Sequence, residues 1–369
     1  MNIITNLVLK KLNKYICLIL VVCFCCFSLA CNDVPTPDKD TTPPVTNEPT
    51  ITYEYANFGS YPTSLVTDSA LKNSLLSLID GTPSALNFNG FADYEYHILG
   101  KKESYAFYKD LTFDEAKYRA VYFTKYRPYT SKLDSLPLYS FQDENGYQIN
   151  TLYFFKFEPL RWRVLEEKNG EKLLLLDIII DSQPFQPDYY QSQVTTGLVE
   201  YGFYYINDGF APEGTFANSY EYSGIRKYLK NKFYKDAFSS KEKAQILLST
   251  IKNDSASAGQ PLNPFSGNDT EDYVYLPSFV DVVNHDYGFK YQGEEDALRQ
   301  LTYTDYARCQ GGYYDVQGEY KWWLRSAPFY INKYSCNAQA VGNSGKIYNY
   351  HYAEYTCMGV VPMMCLSID

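Results

Sequence analysis

The residues of this chain able to do chemistry are few and scattered. Its histidines, His97, His285 and His351, stand apart, with no His-Glu-x-x-His and no Gly-x-Ser-x-Gly nearby. Glu158, Glu166 and Glu167 offer carboxylates of the kind a glycosidase pairs, but Glu158 precedes Pro159 and reads as a structural hydrogen-bond acceptor. Two acidic clusters, Asp269-Glu271-Asp272 and Glu294-Glu295-Asp296, lack calcium-loop spacing and read as solvated loops. Four cysteines fall in the last quarter: Cys309, Cys336, Cys357 and Cys365. An even number in an exported domain permits disulfides, and Cys336 and Cys357 flank a predicted hairpin across which they could meet. Zinc is disfavoured, because there is no Cys-x-x-Cys and only His351 lies near. No metal and no cofactor is expected.

Aromatic chemistry is better represented. The chain holds 39 Tyr and 22 Phe against 3 Trp and 3 His. Tyr at this density favours β-structure and amphipathic surface, since the ring packs while the hydroxyl stays wet. In Trp322-Trp323-Leu324-Arg325, strand alternation puts Trp322 and Leu324 on one face and Trp323 and Arg325 on the other. One Trp is then core, and the other is free to stack on Arg325 at a surface. Trp323 and Arg325, with Tyr348 and Tyr350, are the candidate ligand-binding residues, although a structural role is the stronger reading for the Trp-Arg pair. The net charge of −10 argues against nucleic acid, which needs clustered Lys and Arg.

The elements that must position these residues begin after an address. Lys10, Lys11 and Lys14 precede an uncharged apolar run, Tyr15 to Phe27, and then Ser28-Leu29-Ala30 before Cys31. This order of charge, apolar run and small residues marks an export signal over residues 1–30. Ala30 suits a lipobox and Ser28 does not, so lipid on Cys31 is expected with plain secretion as the alternative. Cys17, Cys23, Cys25 and Cys26 lie inside the apolar run. Residues 31–52 are rich in Pro and Thr and lack aromatics, the composition of a semi-rigid tether. Composition changes at Tyr53, and residues 53–369 are long enough for one large domain.

Within it the pattern is α+β, with small, mostly antiparallel sheets, several helices and long loops. Tyr55 to Pro62 reads as a strand and Asp68 to Leu78 as a helix capped by Thr67 or Asp68. Tyr153 to Leu165 and Lys172 to Ile180 read as strands joined by a hairpin ending in Asn169-Gly170. Ser223 to Phe233 and Ser239 to Thr250 are amphipathic helices, the second capped by Ser239 or Ser240. Tyr273 to Leu276 is a short strand and Leu298 to Ala307 enters a helix. Trp322 to Ser326, Asn337 to Val341 and Lys346 to Tyr350 are strands joined by glycine-containing turns such as Gly342 to Gly345.

Several stretches recur in one order: Phe58-Gly59-Ser60-Tyr61-Pro62, Phe155 to Leu165, Tyr222 to Leu229, Ala237 to Lys243, Thr304-Asp305-Tyr306-Ala307, Trp322 to Ser326, and Gly359-Val360-Val361-Pro362. Together they resemble a bacterial domain of unknown function, family 6273 of such domains, common in secreted and surface proteins of low-GC Gram-positive bacteria. The likeness runs from about Phe58 to the C-terminus. Val361 stands where the family usually shows Arg, and Ala327-Pro328 where it shows Pro-Gly, so a ligand contact made by that Arg would be missing here. The C-terminal part is also similar, more distantly, to C-type-lectin-like domains and formylglycine-generating enzymes. The latter need a close pair of active thiols, for which only Cys357 and Cys365 offer themselves.

The resulting expectation is a lipid-anchored surface protein on the extracellular face of the membrane. Its non-enzymatic head would bind a glycan or an extracellular protein, with rigid aromatic rings as anchors. A secreted hydrolase or other enzyme with an unrecognised site is the alternative.

Overall fold

Asn169 and Gly170 both adopt positive φ, 56° and 80°, as a two-residue hairpin loop requires. In the computed structural model of the chain this turn joins the strands Leu152–Lys168 and Glu171–Leu176; the first runs on past the expected Leu165 and the second stops short of the expected Ile180. The structure describes residues 53–368 apart from 80, 83–84, 87, 99–100, 131–139, 193–201, 206–210, 213, 261, 314–319 and 329–335. The export signal, Cys31 and the tether lie outside the described residues. Ile51–Asp369 forms one compact unit.

The largest sheet has eight strands in antiparallel pairs. They are β1 Tyr55–Leu65, β2 Ala92–Ile98, β3 Lys101–Phe113, β4 Ala116–Phe123, β5 Leu152–Lys168, β6 Glu171–Leu176, β7 Val274–Tyr275 and β8 Met363–Ser367. The order is β7-β8-β6-β5-β4-β3-β2, with β1 paired to β5. Strand β5 is long enough to serve three partners, pairing β4 over 152–156, β1 over 155–163 and β6 over 162–168. It buries Phe155, Phe157, Leu160 and Trp162 while Lys156 and Arg161 face out.

The register of β1 shifts between Asn57 and Ser60. Gly59 sits in that irregularity at φ 73°, and a Cβ there would lie 2.6 Å from the Phe238 ring. Only glycine fits both the backbone angle and the space.

A second sheet is mixed, in the order Ile347–Tyr352, Asn337–Val341, Trp322–Trp323, Gly359–Val360, Asp181–Ser182. Its one parallel pair is Trp322 with Gly359. Small two-stranded hairpins complete the strands, so the domain is α+β as expected, with one sheet larger than foreseen.

The helices are short. Ser69–Leu76 is capped by Asp68, whose Oδ1 accepts from Leu71 N–H at 2.8 Å. Residues 224–237 run as one helical segment with a π-helical turn, Leu229–Phe233, between two α-helical ones. Ser239 caps the next helix through a capping box with Glu242, but that helix covers only Ser240–Lys243. The expected helix to Thr250 stops there because the chain pairs with β8: Leu247 N–H donates to Cys365 O and Ser367 N–H to Gln245 O. Ser249–Ile251 is a strand. The entry expected over Leu298 to Ala307 resolves into two short helices, Ala297–Arg299 and Asp305–Cys309.

Candidate functional site

Trp323 is not a surface platform. Both Trp322 and Trp323 are fully buried, because their strand and both of its neighbours in the second sheet are covered on both faces. Trp323 Nε1 donates to Gln183 O at 2.9 Å, and its ring meets Phe185 edge-on at 5.8 Å. Arg325 does not stack on it. Its Nη1 instead donates to Asp281 Oδ2 and to Leu276 O, both at 2.8 Å, beside the Tyr275 ring. Tyr348 is half-buried against Gly342 and meets His351 edge-on at 6.1 Å. Tyr350 lies in the strand Ile347–Tyr352, and its side chain is outside what is described. Arg325 is thus the candidate that reaches an opening.

That opening is a cleft of about 550 Å³ between β6, β8, Ser249–Ile251 and the segment 274–281. Buried Ile251, Tyr275 and Met363 supply its apolar part. Its polar groups are held in place: Thr250 Oγ1 donates to Glu271 Oε1 at 2.6 Å, and Lys252 pairs with Asp269.

None of Cys309, Cys336, Cys357 and Cys365 forms a disulfide. The expected facing of Cys336 and Cys357 therefore does not yield a bond, and both sulfurs lie in the core. Burial pushes the Cys357 thiol up to about 12, and burial with the Glu171 carboxylate raises Cys365 to about 11, so neither has thiolate character near neutral pH. Glu158 accepts hydroxyl bonds from Thr63 at 2.9 Å and Ser64 at 2.7 Å, the acceptor role expected of it. The two acidic clusters are engaged with cations, Asp272 with Arg226 and Asp296 with Arg299, and no group of metal-ligating side chains occurs among the described residues.

Five of the seven stretches that carry the family likeness meet instead in a polar network. Gly59 N–H donates to Glu242 Oε1 at 2.9 Å, and Trp162 Nε1 donates to Phe58 O at 2.8 Å. The Tyr61 hydroxyl meets that of Tyr228 at 3.1 Å, and Tyr228 donates to Asp181 Oδ2 at 2.7 Å. Tyr306 bonds Tyr94, and Arg119 approaches both hydroxyls while pairing with Asp110 and Asp236. Burial pushes the Asp181 carboxyl above the usual carboxylate range, against the opposing Tyr228 and Ser182 bonds. Burial likewise holds Tyr61, Tyr228 and Tyr306 well above the ordinary phenol, so the hydroxyls stay protonated donors. With Asp181, Tyr61 and Tyr306 almost wholly shielded from solvent and Tyr228 half-buried, the network fastens β1, the helical segment 224–237 and Asp305–Cys309 together.

A second cleft, of about 170 Å³, opens beside this network. Arg127 forms one wall, with Glu95, Tyr96, Gln183, Pro187 and Thr356 around it. Sequence reasoning missed it because its residues come from far-separated stretches and Arg127 sits in a Pro- and Tyr-containing loop without a motif.

The profile of a family described as a domain of unknown function (DUF6273) matches residues 169–368, more than half of the chain. The chain belongs to this family. The match to DUF6273 starts in the Asn169-Gly170 hairpin, later than the Phe58 expected from the motifs. It takes in Asp181, Tyr228, Glu242, Tyr306 and Arg325, while their partners Gly59, Tyr61 and Arg119 precede it. Val361, in the Gly359-Val360-Val361-Pro362 stretch, is fully buried. Searches of the curated proteins and of the solved structures returned no match, a C-type-lectin-like one included.

Proposed function

We propose that this protein is exported, held by lipid on Cys31 at the extracellular face of the membrane, and binds a glycan or an extracellular protein without chemistry upon it. The observation that carries the binding reading is the Arg325 cleft, which joins apolar surface to a few immobilised polar groups. Its guanidinium is fixed by Asp281, so a ligand meets a preorganised donor and the binding loses little side-chain entropy. The export signal ahead of the tether supports the location.

A glycan array and a panel of extracellular-matrix proteins, probed with the whole chain, test this reading. Binding to one class is expected, and it should be lost in Val280→Asp, which places a charge on an exposed lip of the cleft. Absence of binding in every arm, together with hydrolytic turnover in a substrate panel, would overturn it. Palmitate labelling of cells producing the wild type and Cys31→Ala tests the anchor, with label expected only in the former.

A further inference from the structure

Five arginines are buried in the described part of the chain: Arg119, Arg127, Arg163, Arg299 and Arg325. Four of them have a carboxylate within ion-pair range, namely Asp110, Asp177, Asp296 and Asp281 respectively. Arg127 has none among the described residues, although it is only 4% exposed. Its Nη2 donates to Ser182 O and Thr356 O at 2.9 Å, and also to Gln310 O. Among the described residues no hydrogen bond uses its Nη1, and its buried Nε has no partner.

Arg299 shows what a purely structural buried arginine looks like in this fold. Its Nε, Nη1 and Nη2 all donate, to five carbonyl oxygens in total, and Asp296 lies at 3.5 Å. Arg127 departs from that pattern, and it departs where a cleft opens. A guanidinium withdrawn from water without a counter-charge is costly, and a carboxylate entering the cleft would offset that cost through a charge-assisted bond. Asp181 does not fill this role. It lies beyond ion-pair range, and its oxygens already accept from Tyr228 and from Ser182 N–H.

The cleft carries a second charge of opposite sign. The Glu95 carboxylate faces it and holds only a long, solvent-exposed pair with Lys102 at 3.7 Å, a contact of little strength. The Gln183 side-chain amide makes no hydrogen bond among the described residues, while Tyr96, Pro184 and Pro187 supply apolar walls. At about 170 Å³ the space falls below that of a drug-sized site and suits a ligand of several heavy atoms. A plain anion would be repelled by Glu95, and a plain amine by Arg127.

We propose that this cleft binds a small zwitterion of free-amino-acid size, its carboxylate on Arg127, its ammonium group on Glu95 and its polar remainder on Gln183. The proposal is independent of the Arg325 cleft, so either can fail alone.

The test is calorimetric titration of the whole chain with the twenty free amino acids. For each binder the matched amine lacking the carboxylate and the matched acid lacking the amine are titrated too, alongside inorganic phosphate. At least one amino acid should bind, with both single-charge analogues and phosphate at least about tenfold weaker. Glu95→Gln, at an exposed position, should weaken the amino acid about tenfold and bind the deaminated acid more tightly than the wild type does, because the repelling carboxylate is gone. Gln183→Ala should weaken both. No amino-acid binding by the folded chain would overturn the proposal. So would phosphate or the deaminated acid binding as tightly as the amino acid, since that describes an anion site.

Discussion

Arg325 and Arg127 are both nearly buried, and each borders a cleft, yet they are built oppositely. Arg325 carries its counter-charge with it in Asp281, and its donors tie together three segments of chain. Arg127 is held by carbonyl oxygens and lies 5.5 Å from the Tyr105 ring, with no carboxylate in ion-pair range and no partner for its Nε among the described residues. A neutralised arginine behaves as a fastener and gives a ligand shape and position. An unneutralised one gives a ligand a reason to bind. Residue type and burial are the same in the two cases, so the partner set is what separates them.

The contrast can be broken most sharply at Asp281. Asp281→Ala leaves Arg325 buried without its carboxylate and should cost about 3–5 kcal/mol, read by urea denaturation. A loss under about 1 kcal/mol would show that Arg325 is no fastener.

His351 packs edge-on at 6.4 Å from Trp323, whose indole N–H is held by Gln183 of the Arg127 cleft. Burial, with Lys321 adding to it, pushes its imidazole down to about 4 from the ordinary 6.5. The unfolded chain therefore takes up the proton first as pH falls. The stability His351 contributes is complete above pH 6.5 and is lost toward pH 4. Between pH 7 and pH 4 the wild type should lose about 3 kcal/mol relative to His351→Gln, measured by denaturant melts at each pH. Asp181, raised by burial, acts in the opposite direction, which is why the difference between the two chains is the quantity to read.

Behind Arg127 the network should yield less. Tyr228→Phe removes the hydroxyl between Tyr61 and Asp181 and should cost about 1–3 kcal/mol in the same assay. The smallest effect is expected at Glu95. Glu95→Gln should leave stability within about 0.5 kcal/mol while changing ligand selectivity, the signature of a residue placed for binding.

Local features were legible in the sequence because their causes are local. The Asp68 cap, the Ser239–Glu242 capping box and the Asn169-Gly170 turn each follow from residues within four positions of one another. The motifs of the family likeness were legible as a set, and three of them converge in space: Tyr61, Tyr228 and Tyr306 touch or stack within one network. Other features depend on distant chain. Alternation placed Trp323 outside, but its strand and both neighbouring strands in the second sheet are buried on both faces. The helix predicted to Thr250 gives way because strand β8 takes its backbone groups. Arg127 was invisible because Ser182, Gln310 and Thr356, which hold it, are far from it in sequence.

Strand β8 lies inside the large sheet, between β7 and β6, with Met363 opposite Leu175 and Met364 opposite Val274. Until residues 363–367 arrive, β6 and β7 have no ladder to join them. A chain emerging N-terminus first can pair β1 to β6 early, but the sheet takes in Val274–Tyr275 only when β8 appears, through contacts of very long sequence separation.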